Sequence, residues 1–154
     1  MLVNLSGIRS DYTLDAPASA MARGVAVSRS GSTIAKTGDG ARPYGFLATE
    51  VTTDGLNWLE LETIPHAEVE ETKVSTGKVR VVLFEPGRIA TDQILGTDTF
   101  SVGDKVAIAA NGLITNTTAT GDVYIGTVYA VNQNYGGTTG MLVIDLSHDL
   151  GTAA

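Results

Sequence analysis

Lys78-Val-Arg-Val-Val-Leu-Phe84 has the alternation of a β-strand: Val79, Val81 and Leu83 fall on one face of a pleated chain, Lys78 and Arg80 on the other. The run therefore predicts a strand buried on one side. Similar short runs, rich in Val, Ile, Thr and aromatic residues, recur on both sides of it, at 24–28, 44–51, 56–63, 105–109, 113–117, 122–131 and 141–146. Turn formers stand between them: Ser30-Gly31, Gly38-Asp-Gly40, Asp54-Gly55, Pro86-Gly87, Asn111-Gly112 and Gly136-Gly137. Asp-Gly and Asn-Gly tolerate the positive φ of tight turns, so hairpins are expected at 53–56 and 110–113. Residues 88–95 are the one stretch that could make a short helix, and at that length a helix is marginal alone. The fold class read from this pattern is all-β, a small β-barrel or β-sandwich.

The chain has 154 residues, enough for one domain with a real core. Residues 1–20 read differently from the rest. Leu2, Val3, Leu5, Ile8, Tyr12 and Leu14 are scattered without a sustained period, and Ala16-Pro-Ala-Ser-Ala20 forms a small-residue joint. Two readings stay open: an extended N-terminal arm ahead of a β-barrel domain at 21–154, or an ordinary first strand folded onto that body. A free arm could be removed without unfolding the body.

An internal echo runs through the body. Val25-Ala-Val27 leads through a turn at Gly38-Asp39 to Gly45-Phe-Leu47, and Val106-Ala-Ile108 leads through Gly121-Asp122 to Gly126-Thr-Val128. The interval from Val25 to Gly45 equals that from Val106 to Gly126. Two half-motifs of this kind suit a pseudo-symmetric barrel or sandwich.

Composition excludes several function classes. Cysteine is absent, which removes disulfides, thiolate zinc sites and a thiol nucleophile. Ten Lys and Arg stand against 17 Asp and Glu, a net charge of −7, which disfavours nucleic acid as a partner. Lys105 is the last basic residue. No basic segment leads into a long apolar run, so neither an export signal nor a membrane partner is expected.

The search for chemistry finds little. His66 and His148 lie far apart and outside any metal-binding motif; His66 reads as a loop residue and His148 as a solvated residue near the end of the chain. Ser30-Gly31-Ser32 lacks the pattern of a nucleophile elbow, and Gly136-Gly-Thr-Thr-Gly140 lacks the lysine of a phosphate loop. Glu60 and Glu62 share a strand face and could do acid and base work if burial split their pKa values. With Glu68, Glu70 and Glu71 they equally suit a solvated acidic edge that discourages strand addition. No catalytic, cofactor-binding or metal-binding set is expected, and the chain reads as a non-enzyme. Trp58, the sole Trp, shares its face with Glu60 and Glu62; it reads either as a subunit-interface residue or as a cap on the core.

Phe100-Ser-Val-Gly-Asp-Lys-Val-Ala-Ile-Ala-Ala-Asn-Gly-Leu-Ile-Thr115 and Thr120-Gly-Asp-Val-Tyr-Ile-Gly-Thr-Val128, with Arg23-Gly-Val-Ala-Val27 and Pro43-Tyr-Gly-Phe-Leu47, resemble the small β-barrel head decoration, or capsid cement, proteins of tailed bacteriophages. The likeness touches residues 21–131 and consists of a rhythm of strands and glycines without a diagnostic signature. It implies a β-tulip-like fold and a non-enzymatic virion protein that binds the outer surface of the expanded capsid and stabilises it. It further implies the major capsid protein as partner, a homotrimer, and a place on the outer capsid surface of the virion after synthesis in the host cytoplasm. The same resemblance would make residues 1–20 a capsid-binding arm that adds a strand to a neighbour, with Leu2, Val3, Leu5, Ile8, Arg9, Tyr12 and Leu14 as its contacts. The acidic stretch from Glu60 to Glu71 has no counterpart in that family. Alternatives are another β-rich virion component, such as a tail-tube or head-fibre subunit, or a carbohydrate-binding module using Trp58, Tyr124, Tyr129 and Tyr135.

Overall fold

The computed structural model describes residues 1–55, 58–64, 67–135 and 137–154, and for 58–64 and 67–72 the backbone alone. The chain is all-β, with 44% of residues in strands and 2% in helix. The strands are β1 (Leu2–Asn4), β2 (Ser10–Asp11), β3 (Ala26–Ser30), β4 (Thr33–Lys36), β5 (Gly45–Leu47), β6 (Glu50–Val51) and β7 (Trp58–Ile64). They continue with β8 (Ala67–Val74), β9 (Val81–Leu83), β10 (Gly87–Thr91), β11 (Lys105–Ile108), β12 (Ile114–Thr115), β13 (Gly126–Tyr135) and β14 (Thr138–Leu146). A six-stranded sheet in the order β1-β10-β14-β13-β11-β12 curls into a half-barrel. A five-stranded sheet runs β2-β9-β5-β3-β4, and a small third sheet runs β6-β8-β7.

The main core lies between the two large sheets. Ala26, Phe46, Val82 and Phe84 meet Ile89, Val106, Ile108, Ile114, Val128, Leu142 and Ile144 there. The other face of the five-stranded sheet carries a second core, in which Val25, Val27, Ile34, Leu47, Val79 and Val81 are covered by Leu14, Met21, Val51 and Val74. Successive residues of one strand thus enter different cores. This corrects the half-buried reading of 78–84. Val79 and Val81 do share a core, but Val82 and Phe84 are buried in the other, and Leu83 is only half-buried.

The internal echo is real in construction, with a change of register. Gly24 and Gly103 both adopt φ near +95° and donate their N–H groups to Leu47 (2.7 Å) and Val128 (2.9 Å). Gly45 pairs with Leu83 and Gly126 with Leu146. A Cβ on Gly45 would stand 2.3 Å from the Val82 carbonyl oxygen, and one on Gly126 would stand 2.6 Å from that of Asp145. In both halves only glycine lets the adjacent strand close in. The order β9-β5-β3-β4 therefore repeats as β14-β13-β11-β12. Val27, opposite Gly45, corresponds to Val106, opposite Gly126. The equal spacing in sequence matched Val25 with Val106 instead, a slip of two residues that leaves every side chain on its own face and so leaves the pattern looking intact.

Three other expectations change. Residues 88–95 are not a helix: Gly87–Thr91 form β10, paired with β1 on one side and β14 on the other, with Ile89, Ala90 and Thr91 all buried. Asp54-Gly55 does not close a hairpin, because β6 and β7 lie on opposite sides of β8 and do not pair; Leu56 itself lies outside the described residues. The turn at Ala110–Gly112 does join the antiparallel pair β11 and β12, through a short 3-10 segment in which Asn111 takes φ +64°.

Candidate interaction surfaces

Residues 2–16 are laid along the body and stitched to it by backbone hydrogen bonds. Of the two readings of this segment, the packed one is what the structure has. Leu2, Val3 and Asn4 pair with Thr91, Ala90 and Ile89, and Leu5 N–H donates to the Arg88 carbonyl at 3.0 Å. The chain then turns. The Asn4 side chain closes this turn by accepting from Ile8 N–H (2.9 Å) and donating to Ile8 O (2.7 Å), with Gly7 at φ +64°. Ile8 fills space that a side chain on Gly87 would occupy, since a Cβ there would lie 2.8 Å from Ile8 Cγ1. Ser10 and Asp11 pair with Val82 and Val81, so the segment crosses from the edge of one large sheet to the edge of the other. Val79 N–H donates to the Leu14 carbonyl, and Lys78 forms an ion pair with Asp15 at 2.8 Å.

The expected arm residues accordingly divide in two. Leu2, Val3, Ile8 and Leu14 are buried in the chain's own cores. Leu5 and Tyr12 are exposed, and Arg9 is exposed and ion-paired with Glu85. That pairing raises the Arg9 pKa and lowers that of Glu85. Of the seven, only Leu5, Arg9 and Tyr12 are exposed.

Asp11 ties the segment down electrostatically. Its carboxylate accepts from the Thr13 hydroxyl and N–H, both at 2.7 Å, and from the Tyr44 hydroxyl at 2.6 Å. These bonds to the charged form lower its pKa to about 2, and the same contact raises that of Tyr44. The sequence carries a signal for this anchoring, since Asp11-Tyr-Thr13 is an Asp-x-Thr run that closes a turn through its side chain.

Trp58 lies on β7 opposite Lys73, and its side chain is outside the described residues. The same holds for the side chains of Glu60, Glu62, Glu68, Glu70 and Glu71 and for His66. The base of the β7–β8 hairpin is joined to the body where Glu50 and Val51 pair with Lys73 and Val74. His148 is exposed, as expected of a solvated residue, and is also anchored: its Nε2 lies 2.6 Å from the Phe84 carbonyl oxygen, and its ring packs on Phe84 with centroids 4.7 Å apart. Among the described residues no group of three or more His, Asp or Glu could hold a metal ion.

The aromatic residues of the second half also separate. Tyr135 packs beside a small cluster of Val3, Ala90, Met141 and Val143. Tyr129 is 50% exposed on the outer face of the six-stranded sheet, with the Arg88 guanidinium 3.6 Å from its ring centroid. Tyr124 is half-buried, with Lys105 Nζ 5.1 Å from its ring centroid. Fold and surface together define an all-β chain of two similar strand units clasped by its own N-terminal segment. Comparison with protein-family models, with curated proteins and with solved structures finds no match.

Proposed function

We propose that this chain is a structural protein of a tailed-phage virion, which binds the outer surface of the expanded capsid as a decoration protein and holds the shell together. The observation that carries this reading is the pair of glycine-pinned strand units. The stretches that resemble the decoration family, at Arg23–Val27, Pro43–Leu47 and 100–128, are the ones that build those two units. A protein of this kind stabilises by mass action, because it binds the assembled shell and not its parts, and repetition over a lattice lets each contact be modest. The chain would act as a homotrimer with the major capsid protein as its partner. Leu5, Arg9 and Tyr12 are the members of the N-terminal segment that can reach that partner without leaving the body.

Adding the purified chain to expanded heads that lack a decoration protein tests this reading. Decorated heads should withstand a higher temperature before releasing DNA, and light scattering should give the free protein three times the mass of one chain. Unchanged head stability would contradict the stabilising role. Spontaneous filaments would point instead to a tail-tube subunit.

A further inference from the structure

Asn111 is followed by glycine, and none of the asparagines at 4, 57, 116, 132 and 134 is. In an unfolded chain an Asn-Gly pair is chemically unstable. The Gly112 nitrogen adds to the Asn111 Cγ, the Cγ–Nδ2 bond breaks, and ammonia leaves with the proton that the glycine nitrogen held. Water then opens the cyclic imide at one carbonyl or the other, which leaves aspartate or isoaspartate. Glycine makes the closure fast, because no side chain shields its nitrogen.

The folded turn blocks that closure. Asn111 is exposed, so backbone geometry rather than burial protects it. At φ 64° and ψ 19° the next nitrogen is turned away from Cβ about the Cα–C bond, and the ring cannot form. The Gly112 N–H is also engaged, donating to the Ala109 carbonyl at 3.3 Å. The turn is pinned on both sides: Ala109 N–H donates to the Leu113 carbonyl at 2.8 Å, Ile114 N–H to that of Gln93 at 3.0 Å, and Leu95 N–H to that of Ile114 at 2.8 Å. Gly112 and Ile114 are buried, and a Cβ on Gly112 would stand 2.3 Å from the Ala26 carbonyl oxygen on β3. Bringing Asn111 within reach of its neighbour's nitrogen therefore needs the sheet to open. The same close approach bars the way back, because isoaspartate routes the chain through its Cβ and adds a backbone atom where Gly112 abuts β3. We propose that Asn111 is a modification site guarded by the fold: it converts only in the unfolded chain, and its conversion to isoaspartate stops that chain from refolding. Unfolding thereby becomes irreversible through a defined chemical step, and the time spent unfolded sets the loss.

Two samples of the full chain, one in native buffer and one in guanidinium chloride at the same mildly alkaline pH, test it. Electron-transfer fragmentation of the digested samples locates the conversion of amide to acid and tells isoaspartate from aspartate. The Asp39-Gly40 and Asp54-Gly55 pairs isomerise without a change of mass, so the mass gain at Asn111 is read separately. Conversion at Asn111 should run at least tenfold faster in guanidinium than in native buffer. On dilution out of guanidinium, the fraction of wild-type chain that regains native circular dichroism should fall with time of exposure, in step with isoaspartate at 111. Asn111→Gly, which suits the positive φ and has no amide to lose, should refold equally well after short and long exposure. Equal rates in the two buffers, no conversion in guanidinium, or full refolding of chains that carry isoaspartate would overturn the inference. Loss of refolding in Asn111→Gly that matches the wild type would overturn it too.

Discussion

The two halves of the molecule share a construction and differ in what they show to solvent. In each, a glycine near φ +95° starts the first strand, and a second glycine lets the neighbouring strand approach within contact of its backbone. The first half keeps its central strands to three residues, β5 and β9, and buries them on both faces. The second half extends the same two positions into β13 and β14, of ten and nine residues, with three register shifts between them. Bulges of this kind bend a strand and increase its twist. They accompany a curled sheet whose outer face holds Tyr129 and both late cations. The repeated part is thus backbone and core, and the divergent part is surface.

If the halves are equivalent, breaking one should cost what breaking the other costs. The largest effect is expected from deleting residues 1–15, which strips Leu2, Ile8 and Leu14 from two cores at once; urea titration should show loss of the cooperative transition. A deletion variant that unfolds with an unchanged midpoint would mean that the segment is a free arm after all. Next come Gly45→Ala and Gly126→Ala. Each puts a methyl group against a backbone carbonyl that cannot step aside, so each should lose about 3 kcal/mol, near the top of the usual range for overpacking. Unequal losses would break the equivalence of the halves. Gly96→Ala, where a Cβ meets open space, should stay within about 0.5 kcal/mol of wild type.

The split within the N-terminal segment gives the next contrast. Leu14→Ala, at a residue 1% exposed, should lose about 3 kcal/mol, whereas Leu5→Ala and Tyr12→Ala should lose less than about 0.5 kcal/mol. Urea midpoints measured side by side check both values. The smallest effect concerns pH. The Asp11 carboxyl is lowered from its ordinary 3.8 to about 2 in the folded chain, so its contribution is present above pH 4 and is lost as the pH falls toward 2. Asp11 is only half-buried, and screening by solvent keeps that contribution small. Asp11→Asn should flatten the fall in stability between pH 4 and pH 2, and an identical pH profile would show that the Thr13 and Tyr44 bonds contribute nothing.

Much of the strand pattern was legible because its alternation is local. Val106 and Ile108, or Met141 through Leu146, announce themselves by composition alone. The short strands β1, β2 and β4 did not, since two to four residues carry too little period to register, and their burial comes from partners distant in sequence. Residues 88–95 misled for a related reason: Arg88, Ala90, Gln93 and Leu95 are acceptable in a helix, and only the approach of β1 and β14 makes 87–91 a strand. Burial on both faces of β9 was hidden by Arg80, whose charge suggested a solvent face for the whole strand. As for the surfaces, the sequence singled out the seven N-terminal residues and three of the tyrosines, but not which of them face outward. That division depends on registers between strands about 70 to 90 residues apart, such as Val3 with Ala90 and Ser10 with Val82.

The proposed function is tested most directly by sedimenting the chain with two preparations of heads, one expanded and one not. It should pellet with expanded heads at saturating, stoichiometric occupancy and stay in the supernatant with unexpanded ones. Equal pelleting with both, or with neither, would contradict a decoration protein.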